Sequence, residues 1–315
     1  MIISASRRTD IPNYYSEWFL NRIKEGFVCV RNPMNIHRVS HISLSPDVVD
    51  CIVFWTKNPA NMLDKLDQLK GYQYYFQFTV TPYGKDIERN IPDKNEVVIP
   101  VFKKLSDIIG AERVIWRYDP IFFSNKYTHE YHLRAFRRIA EALNGRTKKC
   151  VISFVDIYRK NKKNMEQSGA VVPADNDLIR FCKQLKEIAD ENHIELATCA
   201  EKIDLSSIGI KHNSCIDKNV IETLLRCKLK TKKDPNQREE CKCVESIDIG
   251  AYNTCMNLCS YCYANFSIDT VLKNQLEHDV NSPLLCGQLS EEDQVYDREV
   301  SSLKINFEQL NLWDV

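Results

Sequence analysis

The sequence carries no excess of either charge. Lys and Arg total 43, Asp and Glu total 43, and the formal net charge over 315 residues is zero. That balance argues against a global basic field for nucleic acid and against an acidic face for a cationic partner, though a local patch fits inside a neutral sum. No window approaches the roughly 18 apolar residues that a membrane span needs. The opening MIISASRRTDIP lacks a charged segment followed by a long apolar run, so no leader is read there. Internal repeats and low-complexity tracts are absent too. Together these absences predict a cytosolic protein that does not engage membranes. In that reducing compartment the thirteen cysteines are not a disulfide framework, and their clustering points to metal.

Apolar residues make up 43% of the chain, enough for a sizeable core. Short β-branched and aromatic runs recur at 2–6, 51–55, 72–80, 113–118, 150–155 and 194–199, with a weaker one, SIDIG, at 246–250. Helical patterns at 14–25, 60–70, 95–109, 129–143 and 176–191 lie between most of them. Such alternation predicts parallel βαβ units: an α/β fold, a partial or full TIM-like barrel of six to seven strands. Residues 27–46 read as an inserted pair of strands. The expected division is a barrel over 1–265, with a cysteine-rich segment at 199–265, and an extension over 266–315 packed on it.

Polar residues gather behind the predicted strands. Arg7, Arg8, Thr9 and Asp10 follow the first, Thr56, Lys57 and Asn58 the second, Thr79 and Thr81 the third. Arg117, Tyr118 and Asp119 lie on the fourth, Asp156 and Tyr158 end the fifth, and Cys199 and Glu201 end the sixth. In a parallel barrel all these ends meet at one mouth, where such folds place their sites. Charges that merely solvate a rim are the simpler explanation for any single one of them.

The stretch 255-CMNLCSYCYAN-265 places Cys255, Cys259 and Cys262 in a C-x3-C-x2-C spacing. A 4Fe-4S cluster that only carries electrons takes four protein ligands, so three cysteines leave one iron open for a cofactor or substrate. Zinc with a fourth ligand from elsewhere is the alternative. A second group, Cys199, Cys215, Cys241 and Cys243, lies in polar, loop-like contexts near the first. Its four thiols suit a second cluster or a zinc ion, or they stay unligated with Cys199 as a hydrogen donor. Cys29, Cys51, Cys150 and Cys182 sit in apolar patterns and are expected in the core.

The C-x3-C-x2-C spacing with Tyr261 before its last cysteine resembles the radical S-adenosylmethionine superfamily. The resemblance implies a 4Fe-4S cluster on Cys255, Cys259 and Cys262, with S-adenosyl-L-methionine on the open iron and Tyr261 near its adenine. It also implies reductive cleavage to a 5′-deoxyadenosyl radical that abstracts hydrogen, with electrons from a reductant such as flavodoxin or ferredoxin. In that superfamily the cysteine loop follows the first barrel strand; here it follows SIDIG, after the others. A circular permutation reconciles the two orders, with SIDIG lying beside the strand at 2–6. Thr56-Lys57 and Arg117-x-Asp119-Pro120 resemble motifs of spore photoproduct lyase, which brings nucleic acid into view as a substrate. SRRTDIP, FWTKNP, WRYDPI and the cysteine loop together resemble a bacterial family of unassigned function. On this comparison Lys57, Arg117 and Asp119 are the candidate catalytic residues. Lys57 and Arg117 would meet a carboxylate or phosphate, and Asp119 or Asp10 a ribose hydroxyl. The superfamily's glycine-rich methionine contact is not evident; Ser6, Thr9 and Asp10 stand in its place, with Thr56 nearby. The competing expectation is a non-catalytic iron–sulfur or zinc protein for electron transfer or binding.

Overall fold

A computed structural model describes residues 1–158, 160–171 and 173–305. Its strands are β1 (Ile2–Ala5), β2 (Phe27–Asn32), β3 (Asn35–Ser43), β4 (Cys51–Thr56), β5 (Tyr74–Thr79), β6 (Val114–Ile121), β7 (Lys149–Phe154), β8 (Glu195–Cys199), β9 (Lys211–Asn213), β10 (Ile247–Asp248) and β11 (Gln294–Asp297). Its α-helices are α1 (Ile11–Tyr14), α2 (Ser16–Glu25), α3 (Ile99–Ile109), α4 (His129–Leu143), α5 (Lys162–Gln167), α6 (Asp175–Glu191), α7 (Lys218–Leu225) and α8 (Ile268–Leu276). None of these helices is long and apolar enough to cross a membrane.

Eight strands form one parallel sheet in the order β10-β1-β4-β5-β6-β7-β8-β9. The protein is therefore α/β, with eight strands where the sequence suggests six or seven. The unforeseen strand is β9, three residues of sequence KHN held by three register pairs to β8. The two outer strands of the sheet, β10 and β9, are not paired with each other among the described residues. SIDIG contributes only two paired residues, with Ile3 opposite Ile247 and Ser4 opposite Asp248. The pair read at 27–46 forms an antiparallel ribbon, which β11 joins in parallel through β3.

Side chains alternate across the sheet, so each face has its own core. On one face Ile52, Phe54, Phe76, Trp116 and Ile152 pack against Phe19 of α2, Phe102 of α3, Phe136 of α4 and Leu185 of α6. On the other, Cys51, Val53, Tyr75, Ile115 and Val151 meet Cys215, Ile216, Ile221, Leu229, Cys241, Cys243 and Val244. Irregular chain from 214 to 244, with α7 inside it, thus covers the second face at its lower end. Cys29, Cys51, Cys150 and Cys182 are all buried. Trp18 donates to the Ser282 carbonyl at 2.9 Å and the Cys29 amide to the Pro283 carbonyl at 2.9 Å, docking the chain after 266. The last ten positions of the expected extension lie outside the described residues.

One buried histidine sets a pH limit on this fold. The His132 Nε2–H donates to the Phe122 carbonyl at 3.0 Å, so Nδ1 accepts from the Tyr118 hydroxyl at 2.9 Å. Burial, partly opposed by the Phe122 contact, lowers the imidazole pKa from 6.5 to about 4. The unfolded chain takes up a proton near pH 6.5 and the folded protein only near 4. Stability is thus full above pH 6.5 and falls by about 3 kcal/mol as pH drops from 6.5 to 4. In His132→Leu that part of the loss is expected to vanish. Urea midpoints at about pH 7 and about pH 4.5 measure it, and equal slopes in both proteins would exclude the assignment.

Candidate metal centre

All strands of the large sheet point the same way, so their C-terminal ends share one rim. The period of two carries Val53, Trp55 and Lys57 along β4 and beyond, and Ile115, Arg117 and Asp119 along β6, to the face opposite the helices. Above the irregular filling of that face lies a cavity of about 530 Å³. Lys57, Arg117, Asp119, Tyr261 and Cys262 line it, together with Cys199, Cys215, Cys241 and Cys243. Of the loop cysteines Cys262 alone reaches this space, with the four cysteines of the second group; Cys255 and Cys259 do not line it. Another cavity, of about 410 Å³ beside Tyr14, Tyr15 and Asn61, contains none of the sequence-predicted site residues.

The cysteine loop is locked to the first strand. Asp248 accepts from Ser4 Oγ and Ser6 Oγ, both at 2.7 Å, from the Arg7 amide at 2.9 Å and from the Gly250 amide at 3.0 Å. A Cβ on Gly250 would stand 2.1 Å from Ser6 Oγ, so only glycine lets the chains approach this closely. Ser6 thus serves Asp248, while Thr9 Oγ1 is buried without a hydrogen-bond partner. Asp10 is buried and ties three segments: it accepts from the Lys57 amide at 2.8 Å, from Asn257 Nδ2 at 3.0 Å and from the Asn13 amide at 3.2 Å. Thr56 is buried beside it and accepts from the Asn58 amide at 3.1 Å. Ser6, Thr9, Asp10 and Thr56 do not line the cavity.

A carboxylate that the sequence reading overlooked organises the other side of the loop. Glu88 is buried and pairs with Lys57 at 2.8 Å and Lys94 at 2.6 Å. It also accepts from Thr81 Oγ1 at 2.8 Å and from the Tyr261 hydroxyl, and its backbone bridges that of Cys259. Burial would raise its pKa, but Lys57 and Lys94 hold it at about 2. Lys57 stays charged in turn: burial would lower its pKa, and Glu88 and Cys259 outweigh that. Two lysines around one carboxylate leave one net positive charge beside Cys259. Glu88 sits in GKDIERN, which has no periodicity or spacing that marks a buried acid.

Burial raises the pKa of Cys255 and Cys262, and that of Cys259 to about 12. Thiols in this setting become thiolates only against a bound cation. The three interact electrostatically but share no hydrogen bond. One tetrahedral ion with bonds near 2.3 Å would draw its sulfurs to about 3.8 Å of each other. Among the described residues no three His, Cys, Asp or Glu side chains converge on such a point. Soft thiol donors beside a net positive charge could hold a metal ion or an iron–sulfur group.

In the second group, Cys199 at the end of β8 and Cys215 after β9 do make a sulfur contact, with Cys241 and Cys243 in the same buried cluster. Cys199 Sγ lies 3.0 Å from Cys215 Sγ, and Cys241 and Cys243 lie near enough to Cys215 for the thiols to influence one another's protonation. The Cys215 bond and the Arg117 charge lower the Cys199 pKa to about 7. The neighbouring Cys215 and Cys241 thiols lower that of Cys243. Arg117 Nη1 donates to Cys215 Sγ at 2.6 Å, while its Nε and Nη2 hold Asp119 in a bidentate pair. Arg7 lies within electrostatic reach of Cys243, and its guanidinium stands 5.0 Å from the Trp55 ring. The charge of Arg117 is thus shared between Asp119 and a sulfur, where the sequence reading gave it to an outside anion.

Cations and rings crowd the rim. Lys160 Nζ lies 5.0 Å from the Tyr252 ring and 4.5 Å from that of Phe266, Arg8 lies 5.0 Å from Tyr252, and Tyr158 stands beside Tyr263. Trp116 and Tyr118 belong to the core instead.

Comparison with curated proteins and with solved structures finds no match. A family model described as a domain of unknown function, DUF1848, matches residues 2–264, which takes in both cysteine groups, Lys57, Arg117 and the strands from β1 to β10. On that match over most of its length, the chain belongs to the DUF1848 family.

Proposed function

We propose that this chain is a cytosolic enzyme of the radical S-adenosylmethionine kind, built on a permuted, partly closed (β/α) barrel. One observation supports the reading: β10 lies parallel against β1, so the loop that follows it brings Tyr261 and Cys262 to the cavity of Lys57 and Arg117. Cys255, Cys259 and Cys262 are the ligands of a 4Fe-4S cluster. With S-adenosyl-L-methionine, such a cluster supplies a 5′-deoxyadenosyl radical for hydrogen abstraction when a flavodoxin- or ferredoxin-like protein reduces it.

The chain's own residues do the rest. Glu88 and Asp10 fix the loop from two sides, Lys57 offsets thiolate charge, and the filled lower face keeps water from the cavity floor. A volume of about 530 Å³ suits a small ligand and excludes a duplex. Lys160, Arg8, Tyr252 and Phe266 at the rim favour a substrate that has both negative charge and a flat ring, such as a nucleotide or a single-stranded end.

Anaerobic reconstitution should give a brown protein with about four irons per chain in the loop cluster. Reductant and S-adenosylmethionine should then yield 5′-deoxyadenosine, and Cys255→Ala should lose both iron and product. A loaded, reducible cluster that never cleaves S-adenosylmethionine would leave an electron-transfer or binding protein instead.

A further inference from the structure

The proposed chemistry does not use the four cysteines at the cavity floor. Cys199 ends β8, Cys215 follows β9, and Cys241 and Cys243 precede β10. We infer that Cys199, Cys215, Cys241 and Cys243 form a separate four-thiolate site for a single divalent ion of the zinc type.

Three observations carry this. Cys199 Sγ and Cys215 Sγ already touch at 3.0 Å, and Cys241 and Cys243 line the same cavity and pack in the same buried cluster. On one tetrahedral ion neighbouring sulfurs would sit about 3.8 Å apart, a small outward movement for Cys199 and Cys215, whereas ligating four separate irons would spread them further. As placed, no three donors among the described residues converge at ion-bonding distance, so binding requires rotation of the cysteine side chains. The second observation is charge. Four thiolates on a dication carry about two negative charges, and two guanidiniums offset them, Arg117 in contact with Cys215 and Arg7 within electrostatic reach of Cys243. Arg7 makes no carboxylate ion pair among the described residues, and its buried Nη2 has no hydrogen-bond partner. The third is support from behind. Tyr75 Oη and Gln77 Nε2, on rigid β5, hold the Cys215 carbonyl at 2.6 and 2.8 Å, and the Ile216 amide donates to Cys243 Sγ at 3.4 Å.

Four protein ligands leave no open position, which is the pattern of a structural ion. It fastens the irregular chain from 200 to 245 to the inner face of the sheet. The floor of the cavity then depends on metal and not on secondary structure.

The test uses the full chain carrying Cys255→Ala, so that the loop cysteines do not compete, and it needs no activity assay. The protein as isolated should contain about one zinc per chain. After chelation, titration with cobalt(II) should produce the intense visible absorption of a tetrahedral thiolate complex and saturate at about one equivalent. Adding Cys243→Ser should weaken cobalt binding by about tenfold or more, and adding Cys227→Ser should not. Three results would overturn the inference: a folded protein without the cobalt absorption, a Cys199–Cys215 disulfide in the isolated chain, or about eight irons after reconstitution of the protein with all its cysteines. Since the titration is read on a parent with the four cysteines intact, misfolding of the serine variant cannot mimic failure.

Discussion

Glu88→Ala should lower the folding free energy by about 3–5 kcal/mol, among the largest single losses in the molecule. The carboxylate is 1% exposed and answers Lys57, Lys94, Thr81 and Tyr261 at once. Its removal strands the Lys57 ammonium, 13% exposed, without a counter-charge. The cost comes mainly from that uncompensated charge, because an intact buried pair roughly balances attraction against desolvation. Glu88→Gln fills the same volume and accepts from Thr81, and should lose less. Denaturant midpoints measure both, and a shift under about 1 kcal/mol for the alanine variant would show that Lys57 finds water instead. Iron retention should fall with stability, since the carboxylate also accepts from Tyr261, the neighbour of Cys262 in the loop.

Asp10→Ala should act on the metal more than on the fold. The carboxylate accepts hydrogen bonds from the strand-end amide of Lys57, from the cysteine loop through Asn257, 247 residues away, and from Asn13. Losing these bonds should cost about 3 kcal/mol. The larger effect should be early loss of iron from the reconstituted protein on desalting, with far-ultraviolet dichroism unchanged. Asp10→Asn should be milder, because its carbonyl oxygen can take the Oδ2 position and accept from Lys57 and Asn257, leaving its amide hydrogens opposed only to the Asn13 amide. Iron retention equal to the parent in both variants would remove Asp10 from the support of the loop.

The parts of the molecule that were legible in its sequence share a physical reason. Strands such as CIVFWT and YYFQFT are apolar on both faces because the sheet is covered on both, so they read as short continuous runs. The placement of SIDIG beside the first strand came from the cysteine loop that follows it, since two paired residues give no periodicity of their own. Strand β9 is polar and three residues long, and its pairing depends on β8 being in place. β11 has four exposed residues, so no burial pattern marks it; the neighbouring ribbon decides its state. At the site, spacing identified the three loop cysteines, and the gathering of polar residues behind strands identified Lys57 and Arg117. Spacing could not reveal Glu88 or the guanidinium of Arg7, whose roles exist only once distant loops meet.

The pairing of β10 with β1 also fixes an order of events during synthesis. One edge of β1 can pair with β4 early, but the other stays bare until residue 248 has left the ribosome. At about 5–20 residues per second that wait is on the order of tens of seconds. Closing so long a loop is slow, and an open strand edge invites pairing with other chains meanwhile. The cysteine loop is translated after the strands that surround its cavity. An oxygen-sensitive cluster would thus be inserted into a nearly finished scaffold, and iron delivery would coincide with completion of the sheet.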